Sequence, residues 1–361
     1  MTNYMRMGAA TLTAWLVACA APAPSFASEW HVFPLDPPAD SYQSQGVAVF
    51  GALRGGNVEG FTGHAVLWRG AGEPVTYLTP AGSGGSTLTA MWAGRQVGYV
   101  AGPRAAVWTG SPESFVDLSL PQATYAGSYA YAVRGGQIVG YSNFRSAGLP
   151  HAILWSGINH TPIDLHNPDV MVWSRGYATD GEYQGGVADM IVGPLHAALW
   201  RGSPESFVDL HPAGATSSMV QGMAPGVQVG NADFPGRTVG ARWRGTAASF
   251  ADLTPPYAVF SDLYATDGVY HVGNVIIGGV GHAGIWMTDT PTGFVDLAIL
   301  VGTNISGSTA NGVYHDARGI YVVGQVRLGE GALRGYLWIY SNATAGTGEG
   351  AAPNSVERRK R

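Results

Sequence analysis

Cysteine is nearly absent: Cys19 is the only one in 361 residues. No disulfide holds the fold together, and beyond position 19 no thiol is available for redox work or thiolate metal binding. Lysine is as scarce, with Lys360 alone. Charged residues make up only 12% of the chain and the formal net charge is −5, so the chain lacks the basic patch or stripe by which nucleic-acid binders are known. The Glu, Lys and Arg that wet a helix surface are too few for a helical protein, and no helical periodicity appears beyond the N-terminus. No run after the first twenty residues is long and apolar enough to span a bilayer. The motifs of the P-loop, the dinucleotide fold, the nucleophile elbow and the zinc metalloproteases are all missing. No cofactor or metal is therefore expected. His160, His166 and Asp169 have no ligand-like spacing.

Glycine and aromatic residues are abundant, with 53 Gly, 11 Trp and 17 Tyr. Such a chain has the material for a core and reads as all-β rather than disordered. Residues 1–27 read as a signal peptide: Arg6 supplies the positive end, and Met7 to Ala18 a short apolar stretch. Two exits remain open. Ser25-Phe26-Ala27 suits ordinary cleavage, giving a secreted or periplasmic protein. Leu16-Val17-Ala18-Cys19 resembles a lipobox, which would end the leader at residue 18 and lipidate Cys19, the only membrane attachment the sequence offers. Residues 341–361 read as a disordered tail.

Between these ends one unit recurs. A Gly turn leads to a short strand closing in Gly-aromatic, then His-Ala-x-Leu-Trp, then Phe-Val-Asp-Leu. Gly51-Ala-Leu-Arg-Gly-Gly-Asn-Val-Glu-Gly-Phe61 matches Tyr131-Ala-Val-Arg-Gly-Gly-Gln-Ile-Val-Gly-Tyr141 almost position for position. The repeated tryptophans are Trp68, Trp108, Trp155, Trp200, Trp243, Trp286 and Trp338, a period near 45 that suits a four-stranded propeller blade. The last copy lacks its Phe-Val-Asp-Leu strand, while the chain opens with Glu29-Trp-His-Val-Phe-Pro-Leu35. The expected fold is a seven-bladed β-propeller over residues 29–340, built of antiparallel four-stranded blades and closed by the N-terminal strand.

His-Ala-x-Leu-Trp with Phe-Val-Asp-Leu, preceded by Gly-x-x-Val-Gly, resembles the HAF-repeat family of extracellular bacterial repeat proteins. The resemblance covers about residues 46–338 and implies an exported, propeller-like protein; it brings no activity.

The repeated His64, His151, His196 and His282, and the repeated Asp117, Asp164, Asp209, Asp252 and Asp296, sit at equivalent places around a ring. They cannot meet on one substrate, so they read as bonds inside each blade. The repeated tryptophans read as blade-to-blade packing. Unrepeated residues are the better site candidates, among them the aromatics Trp92, Tyr129, Tyr177 and Tyr264. On the face shared by the outer-to-inner and second-to-third loops, the candidates are Tyr125, Asn143, Arg145, His166, Asp169, Trp173, Asp233 and Arg237, with Asp262 on the same face. The function expected is an envelope or extracellular module that binds protein or glycan and works as a monomer. The alternative is a propeller lyase or hydrolase whose Tyr, Arg, His and Asp meet at the central channel mouth.

The anchor is testable: Cys19→Ser should move the protein from the membrane to the soluble fraction. A mature N-terminus at Ser28 in the parent protein would decide for ordinary cleavage.

Overall fold

A computed structural model describes residues 30–70, 73–120, 123–144 and 149–341, with side chains of 123–126 left out. The signal segment, Cys19, Arg145 and the tail from 342 lie outside the described residues. The chain forms seven four-stranded antiparallel sheets arranged as a β-propeller. In six of them the strands follow chain order from inner to outer, and the seventh takes its outer strand, Trp30–Leu35, from the start of the chain. That strand pairs antiparallel with Leu333–Ser341, setting Trp30 opposite Tyr340, Val32 opposite Trp338 and Leu35 opposite Gly335. Blades are numbered here from the inner strand Gln43–Phe50 as blade 1 to Ile305–Asp316 as blade 7.

A propeller has no single core. The buried apolar residues fall into seven clusters, each shared by two neighbouring blades. Each cluster holds one repeated tryptophan. Four indoles also donate across the seam to a backbone carbonyl of the preceding sheet: Trp68 to Asp36 (3.1 Å), Trp155 to Leu118 (2.9 Å), Trp286 to Leu253 (2.7 Å) and Trp338 to Leu297 (3.0 Å). The Nε1 groups of Trp108, Trp200 and Trp243 are buried without an acceptor among the described residues, so packing alone holds those three rings.

Each inner strand has a serine near its start, a signal missed in the sequence, and in five blades it completes the seam. The Oγ of Ser86, Ser174, Ser218, Ser308 and Ser44 accepts a backbone N–H from the third strand of the preceding blade, at 2.8–3.0 Å. The last of these, from Gly335 to Ser44, closes the ring.

The expected Asp–His bond is present in three blades at 2.8 Å: His151–Asp164, His196–Asp209 and His282–Asp296. Arginine takes that role in two others, from the histidine position in Arg104–Asp117 and from two residues before it in Arg237–Asp252, both at 3.0 Å. In all five the other carboxylate oxygen accepts the N–H two residues on, at 2.8–2.9 Å. The aspartate thus fixes the corner where the outer strand turns toward the next blade.

The repeat register differs from the sequence match in one place. The glycines Gly55 and Gly56 lie inside the second strand Leu53–Glu59, and the turn of blade 1 is at Gly51 and Ala52. Blade 1 therefore aligns with blade 3 four residues from the apparent match, so that Gly56, not Gly60, corresponds to Gly140. Both sit against a partner-strand carbonyl: an added Cβ would come within 1.9 Å of the carbonyl oxygen of Gln45 or Tyr129.

That close approach recurs in every blade. At one shared place each inner strand carries an extra residue against its partner: Val47, Thr89, Tyr131, Tyr177, Gln221, Tyr264 or Asn311. Such a bulge pushes the strand toward its neighbour. The second-strand residue beside it is glycine each time, Gly56, Gly98, Gly140, Gly186, Gly230, Gly273 and Gly324, with a carbonyl oxygen 1.9–2.0 Å from where Cβ would stand. Gly230→Ala should therefore cost about 1–3 kcal/mol, the scale of an overpacked core. Gly63→Ala, where an added Cβ meets nothing within 4 Å, should stay within about 0.5 kcal/mol. Denaturant unfolding of the two side by side checks this; equal costs would refute the close-approach argument.

Candidate functional site

The bulges give the central channel its lining. Counting from the seam serine of each inner strand, the residues one and three places on form two rings of seven. The first ring is Gln45, Thr87, Tyr129, Arg175, Met219, Asp262 and Thr309. The second is the set of bulged residues, all seven of which line a channel cavity of about 380 Å³. The cavity lies toward the turns between inner and second strands, where Phe50, Trp92, Arg134 and Tyr314 join its wall. It is thus in the half of the channel away from the loop face favoured from sequence.

Most ring positions hold small or neutral residues. Blades 3, 4 and 6 break the pattern together: Tyr129 with Tyr131, Arg175 with Tyr177, Asp262 with Tyr264. Three tyrosines enter the second ring, and a tyrosine, a cation and a carboxyl enter the first. Tyr131 meets Tyr177 edge-on across the seam at 5.2 Å and stacks on Tyr141 at 5.7 Å, while Tyr129 stacks on Tyr141 at 4.9 Å. The Arg175 guanidinium sits 4.8 Å from the Tyr141 ring and 5.2 Å from the Trp173 ring, within cation–π range. Burial, then the neighbouring Tyr141, holds the Tyr131 hydroxyl well above its usual range, so it stays a neutral donor.

Asp262 is the unusual carboxyl. It is 8% exposed, and its Oδ1 accepts a hydrogen bond from Gln221 Nε2 at 2.5 Å. Burial raises it to about 7, with the Gln221 hydrogen bond opposing and the nearby Asp233 adding to the rise. Burial, then Asp262 itself, keeps the Tyr264 hydroxyl protonated. At the cavity rim, His315 Nδ1 lies 2.7 Å from Asp267 Oδ2.

The residues singled out from sequence are distributed as follows. Trp173 joins the cluster beneath Arg175. The backbone of Tyr125 belongs to the inner strand Ala123–Arg134. Asn143 is buried, with Nδ2 donating to the Gly127 carbonyl at 3.4 Å. His166 is buried against Ser174 at 3.2 Å and stacks on His151 at 3.9 Å. Burial, then His151, lowers its pKa to about 4. Asp169 is exposed, in a turn where its N–H donates to Asn167. Asp233 accepts from Ser217 and, at 2.6 Å, from Thr238, while Arg237 is the blade 5 partner of Asp252. Among the described contacts, Trp173 alone of these joins the unrepeated tyrosines. Asp262 and Tyr264 were visible as off-repeat residues, but their shared ring position was not.

No protein-family model matches the chain, and no curated protein matches it in sequence. Among solved structures, it is similar to an oligogalacturonate lyase from Vibrio parahaemolyticus (10% identity, TM-score 0.58, 85% of this chain and 93% of that one). It is also similar to a puromycin hydrolase (13% identity, TM-score 0.57, 83% and 53%) and to an acylaminoacyl peptidase from Pyrococcus horikoshii (8% identity, TM-score 0.55, 84% and 53%). The chain spans about half the length of the last two. At such identities the likeness shows the β-propeller fold, one that enzymes also use.

The Asp262 environment has a measurable sign. Between the ordinary carboxylate value of about 3.9 and about 7, the folded chain keeps a proton that the unfolded chain releases. Stability from this group is therefore complete at low pH and lost as pH rises through about 7. His166, lowered to about 4, acts oppositely, losing stability as pH falls below its unfolded value of about 6.5. The difference between parent and Asp262→Asn isolates the aspartate. The variant should melt higher than the parent at alkaline pH, and the gap should close toward pH 4; a gap independent of pH would contradict the buried-carboxyl argument.

Proposed function

We propose that this protein is an exported β-propeller that binds a saccharide in its central channel. The observation that carries the reading is the coordinated break in the repeat. Only blades 3, 4 and 6 put tyrosines into the second ring, and the same blades put Tyr129, Arg175 and Asp262 into the first. A structural repeat needs no such departure, and uncharged, non-aromatic residues fill those positions in the other four blades. Tyrosine joins an apolar face, which stacks on the C–H faces of a sugar ring, to a hydroxyl that exchanges hydrogen bonds with its OH groups. A recess of about 380 Å³ is within the size range of small-ligand sites and is closed to a folded protein partner. The leader supports export, and the repeat motif supports a place beside the HAF-repeat proteins.

A second reading rests on Asp262. A carboxyl with a pKa near 7, bonded to Gln221 and beside Tyr264, is poised as an acid or base at neutral pH. Incubating the protein with the oligosaccharides that bind and analysing products by mass spectrometry separates binding from turnover.

The test of the site pairs two variants in calorimetric titration and thermal melting. Tyr177→Ala should weaken saccharide binding about tenfold, the loss of one stacking contact of roughly 1.4 kcal/mol. His196→Ala breaks the bond to Asp209 far out on blade 4. It should cost about 1–3 kcal/mol of stability while binding, measured below the new melting point, is retained. If the histidine variant loses binding and the tyrosine variant keeps it, the repeated polar residues are the site.

A further inference from the structure

The charge on the channel wall goes further than its aromatics. Most arginines on the propeller answer a carboxylate: Arg104 pairs with Asp117, Arg237 with Asp252, and Arg242 and Arg244 share Asp289. Six described arginines have no such partner, Arg54, Arg69, Arg95, Arg134, Arg175 and Arg327, and of these Arg134 and Arg175 are the two on inner strands. Arg175 and Arg134 have no carboxylate within ion-pair distance among the described residues. Arg175 is half-buried, and its Nε–H is buried without an acceptor there. Aromatic rings cover its guanidinium, and hydroxyl bonding comes from Tyr177. Arg134 lines the cavity below, beside Tyr131 and Tyr177. A guanidinium stays charged under all working conditions, and an uncompensated charge removed from water is costly unless a partner arrives. No described residue supplies that partner, although aspartates do so for six arginines elsewhere.

We infer that the ligand is acidic: a saccharide carrying a carboxylate, seated against blades 3 and 4 with that group on the Arg175 guanidinium and Arg134 adding attraction from the rim. This rests on the channel-binding reading and adds the ligand's charge to it. A carboxylate matches the planar fork of N–H donors, whereas a neutral hydroxyl leaves the charge unanswered. On blade 6, Asp262 lies buried beside Gln221 and Tyr264, with no arginine or lysine paired to it among the described residues. The two walls thus differ in character, and the acidic group is directed to blades 3 and 4.

The test uses the full mature chain and two probes matched in length, oligosaccharides of glucuronic acid and of glucose, titrated calorimetrically at low salt. The acid form should bind about tenfold more tightly, the scale of one charge-assisted hydrogen-bonded contact, with the margin shrinking as salt is added. Arg175→Met should erase the margin between the two probes. Arg175→Lys, which keeps the charge and loses the fork, should retain part of it and decides the matter if the Met variant melts early. Equal binding of both probes by the parent overturns the acidic assignment and leaves the channel reading standing, as does a margin that survives in both variants. Absence of binding by either probe overturns both.

Discussion

Inner and second strands pass each other so closely, at one point in every blade, that no Cβ fits between them. A carbonyl oxygen of the inner strand stands 1.9–2.0 Å from the place a side chain would begin, so the second strand must carry glycine there. The approach exists because the inner strand holds one more residue than its partner, and that extra residue faces the channel. Replace the glycine and the strand must flatten, which withdraws the bulged residue from the lumen. The conspicuous Val-Gly step of the repeat thus accommodates a distortion of the backbone, and that distortion turns seven side chains into a channel wall.

The blade seams make this arrangement persistent. Each blade is a thin sheet that cannot bury its faces alone, and the seven apolar clusters belong to pairs of blades. Stability therefore depends on the ring being complete, which explains why the strand Trp30–Leu35 belongs to blade 7. Gly335 donates to Ser44 and the Trp30 strand pairs with the Trp338 strand, so the two ends of the chain are joined at the same seam. The repeated polar residues work at these seams and corners. His196 and Asp209 hold a corner, Trp286 reaches the Leu253 carbonyl, and none of these groups lines the cavity.

The ring could be read from the sequence because its most repeated residue, the tryptophan of the third strand, is also its most buried. Trp68 to Trp338 gave the blade count, the recurring aspartate gave the bond inside each blade, and the short apolar start gave the closure. The channel was harder to see. Loops of unequal length separate each tryptophan from the next inner strand, so a register anchored on tryptophan decays before the channel is reached. The four-residue slip between Gly51–Phe61 and Tyr131–Tyr141 arose this way: Gly55-Gly56 looks like the turn pair Gly135-Gly136, although it lies in a strand. Anchoring on the seam serines, from Ser44 to Ser308, would have set Tyr131, Tyr177 and Tyr264 in one ring. The loop face drew attention because loops on rigid scaffolds often carry function. Here His166, Asp233 and Arg237 are engaged within the scaffold itself.

A fold with this much internal symmetry separates structural from functional residues more cleanly than most. Where all seven blades agree, the requirement is shared geometry: glycine beside the bulge, serine at the seam, tryptophan in the cluster. Where blades disagree at one ring position, geometry is already satisfied by the smaller residues found elsewhere, and the departure needs another cause. Thr87 and Thr309 show that a hydroxyl suffices at the position of Arg175. An arginine there brings a charge that the propeller leaves without a carboxylate, and it does so between tyrosines that also depart from the pattern. The second-ring tyrosines of blades 3 and 4 adjoin, while that of blade 6 stands apart beside a carboxyl that burial keeps near neutrality. Seven equivalent positions thereby differ in charge and ring character, an asymmetry that the ring does not need to hold together and on which the proposal of a channel ligand rests.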